Sequence, residues 1–258
     1  MTDRHKKVFL EFRSASKAFD GLRVFEDLSL SLKAGVAYGL VGPNACGKTT
    51  LLHSAMGLIK LDGGLICYKG MDITGLKPHS VVRLGLGILL QNVGIFQRIS
   101  VLDNILTGLA ARTSWLTENE RDDQFQELAL SVLSKVGLEE YATRPAGTLV
   151  PGEQKRLAIA RTLFAAKDFL FDEPVAGIDN RTRDSLSKLI RQLVDEGRSI
   201  LLVEHDLDFV LQTCDEILML KDGRIVCQGP PELIRDEQEF DKFYSSLRIE
   251  RPLSESKQ

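Results

Sequence analysis

The sequence of 258 residues has few cysteines, no long apolar run and no excess of positive charge. Its four cysteines (Cys46, Cys67, Cys214 and Cys227) form no C-x-x-C pair, which argues against disulfides and against a zinc site. No segment approaches the roughly 18 apolar residues of a membrane span, and the charged N-terminus does not resemble a signal peptide. A net charge of -3 and a pI near 5.9 give no reason to expect a nucleic-acid partner. We therefore expect a cytoplasmic chain, unless a partner holds it at a membrane.

The apolar pattern predicts an α/β fold with a helical insertion. Apolar and polar residues alternate over Leu28–Leu32, as in a half-buried strand, and helical spacing extends from Lys48 to Ile59. Strand candidates are scarce from about residue 92 to 150, where a helix over Glu118–Val136 would present one apolar face (Phe125, Leu128, Val132 and Val136). After Glu153, helices and strands alternate again, which indicates a core of parallel strands.

A phosphate-binding loop is predicted after a buried strand that ends near Val41. The segment Gly42-Pro43-Asn44-Ala45-Cys46-Gly47-Lys48-Thr49, followed by Thr50, fits the Walker A or P-loop pattern G-x-x-x-x-G-K-[ST]. Small residues let backbone N–H groups surround the phosphates, at the positive end of the following helix. Lys48 would supply a cation to the outer phosphates, and the Thr49 hydroxyl would bind Mg²⁺. The strand before the loop and the helix after it favour this interpretation over a merely Gly-rich turn.

Two further apolar strands end in polar side chains. Asp172 and Glu173 follow the strand Phe169–Phe171, and His205 comes shortly after the strand Leu201–Val203. Ligands of nucleotide-binding α/β folds gather at the carboxyl ends of strands. We therefore predict that Asp172 holds Mg²⁺ and that Glu173 is the general base for the attacking water. His205 is a candidate for contact with the γ-phosphate, although a lone histidine after a strand is often structural.

The phosphate loop, the acidic strand end and the histidine follow one another along the chain as they do in the ABC ATPases, and the resemblance covers residues from about 8 to 235. The resemblance implies a P-loop NTPase (RecA-like) core of about 1–91 and 151–235, an antiparallel β subdomain, a helical subdomain of about 92–150 and a C-terminal helix or tail at 236–258. It implies that Phe19 stacks on adenine, with Phe25 as a weaker candidate. It also implies that Gln91 joins the core to the helical insertion, takes part in catalysis and senses Mg²⁺ and the membrane partner.

The segment Leu149–Arg161 resembles the family's signature segment and the helix that follows it. The resemblance implies that Val150, Gly152 and Glu153 face ATP held by a partner subunit, that Asp179 lies on the loop crossing the dimer interface, and that His205 is the switch histidine.

The function implied is that of the ATP-binding subunit of an ABC transporter, with ATP and Mg²⁺ as cofactors. Its partners would be transmembrane subunits and a second ABC ATPase subunit, in a homodimer or a heterodimer on the cytoplasmic face of the membrane. The segment Val203–Val210 looks most like branched-chain amino-acid importers, whereas Gly94–Ile105 is similar to the lipopolysaccharide-export ATPase. A soluble ABC ATPase that moves no solute and a regulatory subunit with little turnover remain alternatives.

Three positions depart from the family pattern. Val150 and Pro151 stand where the signature has serine and glycine, so a hydroxyl and an N–H group are missing there. Proline is well tolerated in the first turn of a helix, so we expect the fold to be unaffected. Ala45 replaces a glycine of the phosphate loop, which would be unfavourable if that position requires a positive φ.

Overall fold

The computed structural model describes residues 7–91, 94–109 and 122–232. The strands in these ranges are β1 (Val8–Phe19), β2 (Leu22–Lys33), β3 (Ala37–Val41), β4 (Gly63–Tyr68), β5 (Met71–Asp72), β6 (Leu86–Leu89), β7 (Asp168–Asp172), β8 (Ile200–Val203), β9 (Glu216–Lys221) and β10 (Arg224–Gly229). The α-helices are α1 (Lys48–Ala55), α2 (Pro78–Leu84), α3 (Val101–Leu106), α4 (Asp122–Lys135), α5 (Pro151–Ala165), α6 (Asn180–Asp195) and α7 (Leu207–Thr213), and short 3-10 helices lie at Glu139–Tyr141 and Ala146–Thr148.

The N-terminal strands form an antiparallel sheet in the order β2-β1-β4-β5. β1 and β2 pair with Phe12 opposite Leu30 and Leu10 opposite Leu32, so their apolar residues share one face. That face is buried, and it packs with Leu51 of α1 in the same hydrophobic cluster. The expected antiparallel β subdomain is confirmed.

The second sheet has six strands in the order β10-β9-β3-β8-β7-β6, and only β10 runs antiparallel to its neighbour. All residues of β3, β7 and β8 are buried, as expected for parallel strands covered on both faces. The covering layers differ, because Phe169 and Phe171 pack in the cluster of the helices while Leu170 packs with α1 and the antiparallel sheet. Since β3, β7 and β8 are parallel, the polar loops that follow them lie at one edge.

Helices α3, α4 and α5 pack together on one side of the second sheet. The predicted apolar face is confirmed: Val132 of α4 and Val136, directly after its end, are buried, and Phe125 and Leu128 are partly buried against the same cluster. The beginning of the predicted helix, residues 118–121, and the predicted tail at 236–258 lie outside the described residues. In the described ranges we find no helix with the length and apolarity needed to cross a bilayer.

Helix α1 is shorter than its sequence predicts. It ends at Ala55 rather than Ile59, and Gly57 then adopts a φ of +70°. A Cβ atom at Gly57 would lie 1.9 Å from the carbonyl oxygen of Leu76, so the chain turns closely against its neighbour. The helical spacing beyond Ala55 is therefore overridden by this glycine turn.

Candidate nucleotide site

The phosphate loop (Gly42–Thr49) connects the buried strand β3 to helix α1. A Cβ atom at Gly42 would lie 2.1 Å from the Leu220 carbonyl oxygen, so only glycine fits there. Ala45 and Gly47 both have positive φ, of 62° and 105°. Ala45 therefore does occupy the left-handed conformation that is unfavourable for alanine, which costs about 1 kcal/mol or more relative to glycine.

Lys48 is the cation of this loop. It is 5% exposed, and its ammonium donates to the carbonyl oxygens of Gly42 (2.9 Å) and Pro43 (2.8 Å). Burial lowers the pKa of Lys48. The ammonium therefore lacks a full counter-charge among the described side chains, and a phosphate group would supply it. Cys46 lies beside Lys48, with its Sγ 3.9 Å from the ammonium, and burial raises the pKa of this thiol.

Thr49 and Asp172 form the pair with the chemistry of a magnesium site. The Thr49 hydroxyl donates to Oδ1 of Asp172 at 3.1 Å, although the two residues are 123 positions apart. Burial raises the pKa of the Asp172 carboxyl, so its negative charge is poorly compensated. A hard divalent cation, which prefers oxygen ligands, fits this donor pair. His53, one turn along α1, lies near it, with Nε2 3.7 Å from Oδ2 of Asp172.

Glu173 is held between the two other predicted catalytic side chains. Its Oε2 accepts a hydrogen bond from the Gln91 amide at 2.6 Å, and its Oε1 lies 3.0 Å from Nε2 of His205. Glu173 has a φ of 50°, which turns the chain sharply at the end of β7. A non-glycine residue in this conformation is often found at a functional site. The structure thus brings Gln91, Glu173 and His205 together at the edge where the phosphate loop lies.

Two residues that sequence reasoning missed support this arrangement. Lys155, on α5, is 3% exposed, and its ammonium donates to the carbonyl oxygens of Glu173 (3.1 Å) and Gln91 (3.4 Å). Glu204 is 3% exposed and accepts backbone N–H groups of Val175 (2.8 Å) and His205 (3.1 Å). Burial raises the pKa of the Glu204 carboxyl to about 7. Two sequence signals could have identified these residues. Lys155 interrupts an otherwise apolar helix face, and Glu204 stands between a strand and His205.

The signature segment (Leu149–Arg161) begins helix α5, with Val150 at the N-cap and Pro151 at the first helical position. The Val150 side chain is 59% exposed and has no polar atom. The Glu153 carboxylate accepts the backbone N–H of Val150 at 3.1 Å, so one free N–H of the helix start is satisfied. The expectation that Pro151 leaves the helix intact is confirmed.

Asp179 lies beside the signature segment of its own chain. Its carboxylate caps α6 by accepting the Thr182 N–H at 3.0 Å and the Thr182 hydroxyl at 2.7 Å. A Cβ atom at Gly152 would lie 3.8 Å from Oδ2 of Asp179. The two segments that the resemblance assigns to a dimer interface therefore adjoin each other.

The two candidate adenine-stacking rings differ in exposure. Phe19, at the end of β1, is 44% exposed, and the Lys17 ammonium lies 4.9 Å from its ring centre. Phe25 is 2% exposed and packs next to the phosphate loop, where a Cβ on Gly47 would lie 3.5 Å from its ring. Only Phe19 of these two has a ring face available to a ligand.

Comparison with known proteins agrees with this geometry. The family model described as ABC transporter matches residues 25–176. The lipopolysaccharide export system ATP-binding protein LptB of Escherichia coli (strain K12) is 34% identical over 230 residues, which is 88% of this chain and 93% of LptB. The high-affinity branched-chain amino acid transport ATP-binding protein BraF of Pseudomonas aeruginosa is 34% identical over 248 residues, which is 91% of this chain and 96% of BraF.

Solved structures give the same result. The ADP conformation of MJ1267, an ATP-binding cassette of an ABC transporter, matches with a TM-score of 0.80 and 25% identity over 92% of this chain and 98% of that one. A dimeric post-hydrolysis state of the ATP-binding cassette MJ0796, bound to ADP and Pi, shares the fold, with a TM-score of 0.74 and 22% identity over 86% of this chain and 98% of that one. The chain therefore belongs to the ABC transporter family and is an ATP-binding subunit with ATPase activity.

Proposed function

We propose that this chain is the motor of a transporter whose membrane-spanning parts are separate chains, and that they hold it on the cytoplasmic face of the membrane. The main support for this proposal is that the phosphate loop, Asp172, Glu173 and His205 lie together at one sheet edge. That edge combines a cation for phosphate, an oxygen pair for Mg²⁺ and a carboxylate for proton transfer. ATP hydrolysis needs these three elements together.

Each residue has a defined role in the proposed reaction. Lys48 binds the outer phosphates, and Thr49 and Asp172 hold Mg²⁺, which when bound supplies positive charge at the phosphate oxygens. Glu173 accepts the proton of the attacking water, and Gln91 and His205 hold its two oxygens in position. Phe19 presents its exposed ring to the adenine.

We further propose that this chain works in a heterodimer. The residue types that hydrolysis requires are present in the chain itself at Lys48, Thr49, Asp172, Glu173 and His205. The signature that it offers to a partner, by contrast, lacks a hydroxyl at Val150 and an N–H at Pro151. A hydrogen bond to a charged group contributes about 1.5–3 kcal/mol, so the composite site that uses this signature would be weakened about 10- to 100-fold. A partner with an intact signature would leave one strong site and one weak site.

Two classes of transported solute have support. The segment Val203–Val210 favours branched-chain amino-acid uptake, in agreement with the similarity to BraF. The identity to LptB is equally high, at 34%, and supports lipopolysaccharide-type export. Purification of the chain with its membrane subunits, followed by mass spectrometry of those subunits, separates the two classes and also tests whether a transporter is involved at all.

The first test uses Glu173→Gln, because removal of the proton acceptor should leave ATP bound and trap any dimer that closes on it. We expect the purified variant to bind ATP and to remain monomeric by light scattering, with or without ATP and Mg²⁺. An ATP-dependent dimer would contradict the heterodimer proposal and support a homodimeric motor. Absence of ATP binding would contradict the site itself, with Lys48→Met in the same background as the non-binding control.

A further inference from the structure

A cavity of about 290 Å³ lies away from the phosphate loop, between the helices on one side of the second sheet. One wall comes from the end of α4 and the turn at Val136 and Gly137, and another from the first turns of α5. The third wall is the inner face of α6, including Leu189. The exposed residues Ser134 and Ser185 mark its open side. Its volume is near the lower end of the range for small-molecule sites.

The charged residues that line this cavity are all cationic. Lys135, Lys155 and Arg156 line it, and its lining contains no acidic residue. The three cations are not equally available. Lys135 is paired with Glu196 at 2.7 Å, and Lys155 is directed to the carbonyl groups near Glu173.

Arg156 is the cation with spare hydrogen-bonding capacity. Its Nη1 donates to the carbonyl oxygens of Val136 (3.0 Å) and Gly137 (3.3 Å), and its nearest carboxylate is Glu153, 3.9 Å from Nη2. In the part of the chain that the structure describes, its buried Nε has no acceptor. A guanidinium is always charged in proteins, and its Nη2 group carries two N–H donors for an anion. Because Nε is shielded from solvent and Nη1 is engaged, an anion in the cavity would bind Nη2, which the protein leaves weakly compensated.

The rest of the lining is mainly apolar. Val136, Ile159, Ile178, Leu186 and Leu189 contribute aliphatic surface to the cavity. A bare inorganic anion would leave this surface uncovered, and a neutral hydrocarbon would leave the arginine without an acceptor. The combination matches a molecule with one anionic end and a short apolar body.

We propose that this cavity is a second, non-nucleotide binding site for a small amphipathic anion, such as a medium-chain carboxylate. Its carboxylate binds the Arg156 guanidinium, and its chain lies against Ile159 and Leu189. Because the walls belong both to the α4–α5 region and to α6, the occupant joins the helical region to the helix that Asp179 caps. Binding therefore restrains movement between these two parts of the chain.

The test is isothermal titration calorimetry of the full chain with octanoate, in saturating ADP and Mg²⁺ so that octanoate does not enter the nucleotide site. We expect one equivalent to bind with a dissociation constant of about 1 mM or lower. Octylammonium, which has the same chain and the opposite charge, should not bind. Equal binding of the two compounds, or no binding of octanoate up to about 10 mM, would overturn the proposal.

Variants locate the site. Ser185→Phe places a large side chain at the open side of the cavity without changing the buried core, and it should abolish binding. Lys188→Phe, on the exposed face of the same helix and outside the lining, is the matched control and should bind as the wild type does. Arg156→Gln should weaken binding by about tenfold or more, and Arg156→Lys should recover part of the loss. Unchanged binding in Ser185→Phe would refute this location even if octanoate binds.

Discussion

Restoring the family's signature residues is the most informative perturbation of this chain. The double substitution Val150→Ser with Pro151→Gly returns a hydroxyl and an N–H to the exposed start of α5. Both positions lie at the N-terminus of the helix, where Val150 is the N-cap and Pro151 the first helical residue. The change therefore tests the function of the signature with little interference from the core.

The structure predicts only a small loss of stability. Val150 is 59% exposed, so replacing it loses less than half of the burial free energy of a valine. A serine at the N-cap gains about 1 kcal/mol by accepting a free N–H of the helix start. Glycine in place of Pro151 costs about 1 kcal/mol, because the unfolded chain becomes more flexible. The serine and glycine contributions approximately cancel, which leaves the lost valine burial, less than about 1 kcal/mol.

The expected functional change is much larger. One restored hydrogen bond to the γ-phosphate contributes about 1.5–3 kcal/mol, and about 1.4 kcal/mol corresponds to a tenfold change in rate. If ATP is hydrolysed between two copies of the isolated chain, kcat should rise by about 10- to 100-fold. Glu173→Gln, which we expect to be monomeric by itself, should form an ATP-dependent dimer when the two changes are added.

Phosphate release at several protein concentrations measures kcat, and light scattering measures the dimer. Val150→Ala is the control, because it removes the valine without adding a donor, and its kcat should equal that of the wild type. A folded double variant that keeps the wild type's kcat, and that forms no ATP-dependent dimer in the Glu173→Gln background, would refute the reasoning that these two positions limit the composite site.

Three further predictions concern single side chains. Alkylation of Cys46 should block ATP binding, and bound ATP should slow the reaction, whereas Cys46→Ala should bind ATP after the same treatment; nucleotide titration of the fully modified protein checks this. Lys155→Met should lower kcat by about tenfold and leave the dissociation constant for ATP nearly unchanged, because Lys155 bonds carbonyls beside Glu173 rather than nucleotide; a large loss of ATP binding would contradict this positioning role. The Glu204 carboxyl has a pKa of about 7 when folded and an ordinary value of 4.5, so it stabilises the fold below about pH 4.5 and loses that contribution as pH rises to about 7. Relative to Glu204→Gln, the wild type should lose about 3 kcal/mol between pH 4.5 and 8 in urea unfolding, and a pH-independent difference would contradict the shift.

The local elements of the structure could be predicted from the sequence, because each depends on residues that are close together along the chain. The phosphate loop could be predicted because its glycines, Lys48 and Thr49 are fixed by one continuous pattern between a strand and a helix. The apolar face of α4 and the position of Pro151 at a helix start also follow from spacing of three or four residues. The resemblance to the ABC ATPases rests on the order of several such local patterns.

Only the tertiary structure decided how these segments meet. The contact between Thr49 and Asp172 spans 123 residues, and it forms because β3, β8 and β7 are parallel neighbours whose carboxyl ends lie at one edge. Lys155 and Glu204 acquire their roles from carbonyl and N–H groups contributed by other segments, which no local pattern encodes. The early end of α1 likewise depends on the close approach of Gly57 to the Leu76 carbonyl. Short-range patterns fix backbone conformation and side-chain spacing, whereas burial and long-range pairing decide which charges face each other.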